Sequence, residues 1–332
     1  MSAGVPVKKI CNLKLTNLSK DYDAEAFVET TGILERRVDD LTTSDLCIPA
    51  AEKLIADLGW DKSEITVIIF VSQTTDYYLP ATACIIQDKL GLSKECYAED
   101  IVLGCSGWVY GLSNAVSLLQ SGGKALLMAG DAKRHVETND ALFGFAGTVT
   151  ALEYLEGASD FKFHFGTDGS GFDAIIIPDG GSRNQVTASS FIEEEIDGKK
   201  YNRLQTRMKG MDVFSFGITT APKSVKKLAD HFGFDYQSAD YLILHQANMK
   251  MNKMIAKKLK FTDDRTPSCM YNFGNTSSAS IPLTIVTQLA NRGGIETKWL
   301  CCGFGVGLSW GTVYFKTDNI VISELVEVSK DE

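Results

Sequence analysis

The 332-residue chain is poor in histidine (four) and proline (seven). It contains no apolar run near the roughly 18 residues of a membrane-spanning helix. It has no Cys-x-x-Cys pair, and Cys301 and Cys302 are adjacent, a poor geometry for sharing a metal, so no metal site is expected. Eight cysteines at irregular spacing in a chain this long do not read as the disulfide framework of a small secreted protein. Positive charge is in deficit: 33 Lys+Arg against 42 Asp+Glu leaves a net charge of −9, which argues against general nucleic-acid binding. Lys8 and Lys9 near the start have no apolar segment behind them, so a secretory leader is not expected.

What is present describes a globular chain, 44% hydrophobic and 23% charged, with no low-complexity tract. At about 150 residues per domain its length suggests about two units. The expectation is a cytoplasmic enzyme in which seven of the cysteines are inert packing.

A search for internal repeats is the most productive step. The segment Glu52-Lys53-Leu54-Ile55-Ala56-Asp57-Leu58-Gly59 lies 174 positions before Lys226-Lys227-Leu228-Ala229-Asp230-His231-Phe232-Gly233. Both read as amphipathic helices stopped by glycine, which adopts the left-handed conformation at little cost. Apolar runs follow, Ile65 to Val71 and Tyr241 to Leu244, with the character of strands in a sheet covered on both faces. Helices are expected next, over 80–90 and 248–259. The segments 96–104 and 268–274 then lead to Cys105 and Asn275, each placed at a strand-to-helix turn before a run of small residues. Small residues let helices approach closely, so these two helices are expected to be central and buried. The division expected is 1–166 and 167–332, joined at the turn Gly166-Thr167-Asp168-Gly169-Ser170-Gly171.

Cys105 is the candidate nucleophile. A helix N-terminus favours the thiolate and is expected to lower the thiol pKa, and the amides there can hold an oxyanion. Glycines at 104 and 107 would let a substrate approach the backbone. His245 ends an apolar strand beside Gln246 and Asn248, on the sheet edge expected to hold Cys105, and is a candidate acid, base or hydrogen-bond donor; a satisfied core histidine is the plainer alternative. His135, His164 and His231 have no comparable setting. Asn275 completes a Cys/His/Asn set, or simply caps the next helix. The run Gly303-Phe304-Gly305-Val306-Gly307 is followed by strand-like residues, not a helix, so it is read as a turn presenting backbone N–H groups and not as a dinucleotide loop. The helix after Asn248 carries Lys250, Lys253, Lys257, Lys258 and Lys260 and no acid; on an acidic protein it could steer a negatively charged carrier.

These residues resemble the β-ketoacyl-acyl-carrier-protein synthase III family over nearly the whole chain. The resemblance rests on Thr31-Gly32-Ile33, Pro80-Ala81-Thr82-Ala83-Cys84, Gly104-Cys105-Ser106-Gly107, Met208 to Phe214, His245-Gln246-Ala247-Asn248, Gly274-Asn275-Thr276-Ser277 and Gly303 to Gly311. It implies a thiolase-like α/β fold of two duplicated halves in an αβαβα arrangement with buried central helices. It implies a Cys105/His245/Asn275 triad, backbone N–H groups of Cys105 and Val306 around an oxyanion, and acyl-carrier docking at Lys250, Lys257 and Lys258. The implied substrate tunnel includes Phe214, Asn248 and Phe304, with Leu79 capping the acyl pocket of a second copy in a homodimer.

The implied chemistry is acyl transfer from a thioester to Cys105, then decarboxylative condensation with a malonyl-carrier thioester to a 3-oxoacyl product. Beyond these acyl-CoA, acyl-carrier and malonyl-carrier substrates no cofactor is expected. Ala26 and Thr30 stand where the family usually has the Trp and Arg that hold a coenzyme A adenine, and Phe143-Gly144-Phe145-Ala146-Gly147 replaces its usual Phe-Gly-Asp-Gly-Ala. These departures point to a specialised homologue. Alternatives are transfer of the acyl group to an alcohol or amine, and a partner subunit of a heterodimeric condensing enzyme.

Overall fold

The computed structural model describes residues 1–15, 22–132, 140–196 and 199–330. Two sheets carry the fold. The first is built from β1 (Ser2–Pro6), β2 (Ile65–Val71), β3 (Tyr97–Ile101), β4 (Lys124–Asp131) and β5 (Ala146–Glu153). The second contains β6 (Lys162–Thr167), β7 (Tyr241–Leu244), β8 (Thr297–Gly305) and β9 (Ser309–Thr317), and β10 (Val326–Val328) returns to the edge of the first beside β1. The strand orders are β10-β1-β5-β4-β2-β3 and β6-β9-β8-β7.

The two sheets follow one plan. In the first, β1 and β5 are antiparallel, β5 and β4 antiparallel, β4 and β2 parallel. In the second, β6, β9, β8 and β7 repeat that order with the same three directions. The second sheet begins at residue 162, so a boundary after residue 166 would cut β6. The turn expected to join the halves instead continues from β6 into a 3₁₀ segment, Gly169–Ala174, inside the second unit.

Helices α1 (Ala24–Thr31), α2 (Thr43–Leu58), α3 (Thr82–Lys89) and α4 (Gly107–Leu118) belong to the first half, and α5 (Gly210–Phe232), α6 (Met249–Leu259), α7 (Met270–Phe273) and α8 (Ser280–Gln288) to the second. The two repeated helical segments end α2 and α5, and the glycines that follow take left-handed conformations, φ 63° at Gly59 and 65° at Gly233. A capping box between Thr42 and Asp45 starts α2. α3 begins at Thr82, two residues later than expected, where the N–H groups of Thr82 and Ala83 donate to the Asp100 carboxylate, each at 2.7 Å. The expected strand before Asn275 is absent: Met270 to Phe273 form the short helix α7, so the second sheet has no counterpart of β3.

The continuous apolar strands follow from burial on both faces. In β2, Ile69 and Val71 face the layer between the sheets while Ile68 and Phe70 pack under α2 and α3; in β7, Ile243 faces inward and Leu242 and Leu244 pack under α5 and α6. The middle layer holds α4 and α8, with the buried rings of Trp108 and Trp299. The result is an αβαβα, thiolase-like sandwich, and among the described residues no helix is long and apolar enough to cross a membrane.

Glycine lets α4 lie against β2 and β4. A Cβ on Gly111 would stand 2.6 Å from both Leu127 Cδ1 and Val71 Cγ2. Gly111→Val is therefore expected to lower stability by about 2–3 kcal/mol through overpacking. A shift of the urea midpoint measures it; an unchanged midpoint would contradict close helix–sheet packing.

Candidate active site

The carboxyl ends of β2, β4 and β7 open onto one cavity of about 650 Å³, and the side chains of Cys105, His245 and Asn275 all line it. Three different local structures deliver them. Cys105 lies at the turn before α4. Its neighbour Ser106 is buried and pinned by a 2.7 Å hydrogen bond to Ser309 Oγ on β9. Opposite the thiol, Gly305 ends β8; a Cβ there would stand 2.6 Å from Cys105 Cβ and 2.8 Å from Sγ. The glycine run lets the β8–β9 turn close on the Cys105 thiol, and it brings the Val306 N–H to the sulfur as a hydrogen-bond donor.

His245 continues β7, its N–H donating to Cys302 O at 2.9 Å. Its ring is buried, with Nδ1 2.7 Å from Ser280 Oγ at the start of α8 and the ring edge-on to Phe304. Burial lowers its pKa to about 3, against a backbone hydrogen bond with Ser277 that raises it. The imidazole is therefore neutral at any ordinary pH. The rest of the His-Gln-Ala-Asn run makes structural contacts: Gln246 Oε1 accepts from Ser268 Oγ at 2.6 Å, and Asn248, which also lines the cavity, caps α6 by accepting from the Met251 N–H at 3.2 Å.

Asn275 is buried between α7 and the 3₁₀ turn Ser277–Ala279, its backbone paired with Leu142 and Gly144. Its Oδ1 accepts from the Ser277 N–H at 2.9 Å, which orients the amide and leaves the NH₂ end for a ligand. The Oδ1 end thus makes the plainer local contact with the next turn, and the NH₂ end is the one on which a ligand-binding role would depend.

The thiol behaves contrary to the helix-dipole expectation. Desolvation dominates and Cys105 is pushed up to about 11, although it is only partly buried; the Val306 N–H and the Ser277 hydroxyl oppose the shift and Asp131 adds to it. The dipole acts over one helical turn, whereas protein surrounds this sulfur on most sides.

Phe214 of α5, Asn248 and Phe304 line the same cavity. Leu79 does not; it is 86% exposed on the loop before α3. Lys250, Lys257 and Lys258 are exposed on α6, with Lys258 donating to Ile218 O at 2.8 Å. Of the seven cysteines expected to be packing, Cys47, Cys269, Cys301 and Cys302 are buried and Cys11 and Cys96 half-buried, but Cys84 is exposed on α3; all eight are free thiols. His164 reaches Ser224 Oγ at 2.9 Å, far from the site, and His135 lies outside the described residues.

Residues 229–317 match the family model described as 3-oxoacyl-[acyl-carrier-protein (ACP)] synthase III C terminal. The β-ketoacyl-[acyl-carrier-protein] synthase III of Clostridium acetobutylicum is 31% identical, over 94% of this chain and 95% of that one. The chain belongs to the β-ketoacyl-acyl-carrier-protein synthase III family. A second synthase III, from Bacillus cereus, is 32% identical over 93% of this chain and 94% of its own. The crystal structure of a 3-oxoacyl-(acyl-carrier protein) synthase from Burkholderia xenovorans LB400 superposes with a TM-score of 0.90 at 36% identity, covering 98% of this chain and 95% of that one. As a synthase III the protein is a condensing acyltransferase of thiolase fold.

The cavity residues that sequence analysis does not single out include the polar Gln73, Asp131 and the Ser277 side chain. Asp131 carried a usable signal, since it ends an apolar strand as His245 does. Nothing local marked Ser280 as the partner of His245, because that contact joins residues 35 positions apart.

Proposed function

We propose that Cys105 accepts an acyl group from a thioester and that His245 and Asn275 then hold the carbonyl oxygen of a malonyl-carrier thioester while it decarboxylates. The observation carrying this reading is the convergence of the three side chains on one mainly apolar cavity. Acyl transfer forms a C–S bond at Cys105 and releases the first carrier as its thiol. Loss of carbon dioxide leaves an enolate whose charge falls on the thioester oxygen. In this reading Nδ1 of His245 accepts from Ser280 Oγ, and the ring N–H on Nε2 turns from the Ser277 backbone to that oxygen, beside the Asn275 NH₂. The enolate carbon attacks the acyl carbonyl, whose oxygen meets the N–H groups of Cys105 and Val306, and Cys105 leaves.

In this reading the second substrate is carried by an acyl carrier protein, which meets the exposed lysines of α6 beside the cavity mouth. A second copy covers Leu79 and Tyr78, apolar side chains 86% and 89% exposed at a loop tip. The protein works in the cytoplasm. Ala26 and Thr30 supply neither an indole nor a guanidinium at the two positions where the resemblance places the adenine contacts, so acyl-carrier thioesters are the better primers.

Intact-protein mass spectrometry after incubation with acetyl-, hexanoyl- and decanoyl-carrier thioesters tests the reading. The expected result is one acyl adduct on wild type, none on Cys105→Ala, and release of carbon dioxide when malonyl-carrier is added. Absence of an adduct with every donor would overturn it.

A further inference from the structure

Cys105 has to lose its proton to become a nucleophile, yet burial holds that proton on the sulfur and the neighbouring histidine is held near Ser280 and edge-on to Phe304. A second polar cluster lines the same cavity wall. Asp131, at the end of β4, is buried, and three donors converge on its Oδ1: the Gln73 N–H at 2.7 Å, Ser72 Oγ at 3.1 Å and Thr74 Oγ1 at 3.3 Å. Its Oδ2 is buried without a partner of hydrogen-bond geometry. Donors on one oxygen give the group a defined orientation and leave the other oxygen to take a proton.

The 3₁₀ turn that begins at Ser277 packs against β4, and Ser277 lines the cavity with Asp131 and Cys105, its hydroxyl favouring the charged form of both groups. Its backbone is left-handed, φ 51°, one of two described non-glycine residues with positive φ. Such a conformation persists only where the surroundings enforce it. Here the Ser277 N–H is tied to Asn275 Oδ1, so the residue that orients the Asn275 amide is also the one that reaches the nucleophile.

We propose that Ser277 and Asp131 form a proton relay for Cys105, in which Ser277 is a catalytic residue touching the reacting sulfur and Asp131 a positioning residue acting through it. The proposal rests on the reading of Cys105 as the acyl acceptor. The Cys105 S–H bond breaks as Ser277 Oγ takes that proton and passes its own to Asp131 Oδ2. The sulfur electron pair forms the bond to the acyl carbon, the bond from that carbon to the carrier sulfur breaks, and the proton returns along the same path to the departing thiolate. Burial pushes the Asp131 carboxyl above the usual carboxylate range, which suits a proton acceptor, while the hydroxyl and N–H donors hold it down. Among the described residues, the titratable groups whose charges couple to Asp131 are Cys105 and Cys47 of α2, the latter itself held as a thiol by burial.

The test compares wild type, Asp131→Asn, Ser277→Ala and the double variant between pH 6 and 8. One assay is single-turnover acylation by an octanoyl N-acetylcysteamine thioester; the other is alkylation by iodoacetamide, which needs no acyl donor. With the relay, wild-type rates are nearly flat with pH, because the proton stays within the pair. Each single variant acylates about a hundredfold more slowly at pH 7 and alkylates with a rate rising about tenfold per pH unit, the signature of a lone thiol. The double variant is no slower than the slower single one, since the relay breaks once. Variants that match the wild-type profile, losses that multiply in the double variant, or a flat alkylation profile in Asp131→Asn would each overturn the relay. A wild-type protein that alkylates with a flat profile but takes no acyl group would instead defeat the acyl-acceptor reading and leave the relay standing.

Discussion

Replacing His245 by alanine is expected to slow condensation by about a thousandfold while leaving acylation of Cys105 within about tenfold of wild type. The split follows from where charge develops. During acyl transfer the negative charge collects on the acyl oxygen, facing the N–H groups of Cys105 and Val306. During decarboxylation it collects on the thioester oxygen of the second substrate, facing His245 and Asn275. A buried donor aimed at developing charge is worth roughly a hundred- to a thousandfold in rate, and removing the ring also leaves Ser280 Oγ without its partner at 2.7 Å. Single-turnover measurements of the two half-reactions separate the effects; equal losses in both would show that His245 serves acylation as well. Because burial holds the His245 pKa near 3, the condensation rate is further expected to show no inflection near pH 6.5, where an exposed histidine would titrate.

The second large effect is alkaline unfolding. Burial raises four enclosed thiols: Cys269 and Cys302 to about 12, Cys47 further, and Cys301 well above its ordinary value. In the unfolded chain a thiol ionises near pH 8.5. Below that pH both states hold the proton and these groups contribute nothing to the pH dependence. Above it the unfolded chain releases protons that the folded one keeps, so stability falls as pH rises, by about 1.4 kcal/mol per thiol per pH unit. At pH 9.5 four such thiols remove on the order of 5 kcal/mol, a large share of the 5–15 kcal/mol typical of a folded protein. Thermal denaturation between pH 7.5 and 10 is expected to show a steep drop in Tm beginning near pH 8.5; a Tm that stays level to pH 10 would contradict the burial of these side chains.

Much of this molecule is legible along the chain because its signals are local. Gly59 and Gly233 stop helices through their own backbone freedom, and the runs over 65–71 and 241–244 are strands because sheets covered on both faces need apolar residues at every position. The motifs around Cys105, His245 and Asn275 mark three residues, each at a chain turn, that line one cavity. The duplication is legible from spacing as well, but it misleads at one point. The segment before Asn275 was expected to mirror β3, yet 270–273 form a helix, since a shared plan constrains the layers more tightly than it does an edge strand.

What the amino-acid sequence determined by itself is the inventory of the chemistry: one cysteine at a helix entrance, a histidine ending a strand, an asparagine at a turn and the glycines that admit them. Only the tertiary structure decided how those groups behave. The thiol is raised and not lowered because protein atoms from several elements exclude water from the sulfur, whereas the dipole that sequence reasoning invoked belongs to one helix end. Asp131 and Ser277 meet Cys105 because β4 and the 3₁₀ turn before α8 close on one cavity, bringing together residues up to 172 positions apart. Desolvation and proton transfer depend on neighbours in space, and no short window of sequence contains those neighbours.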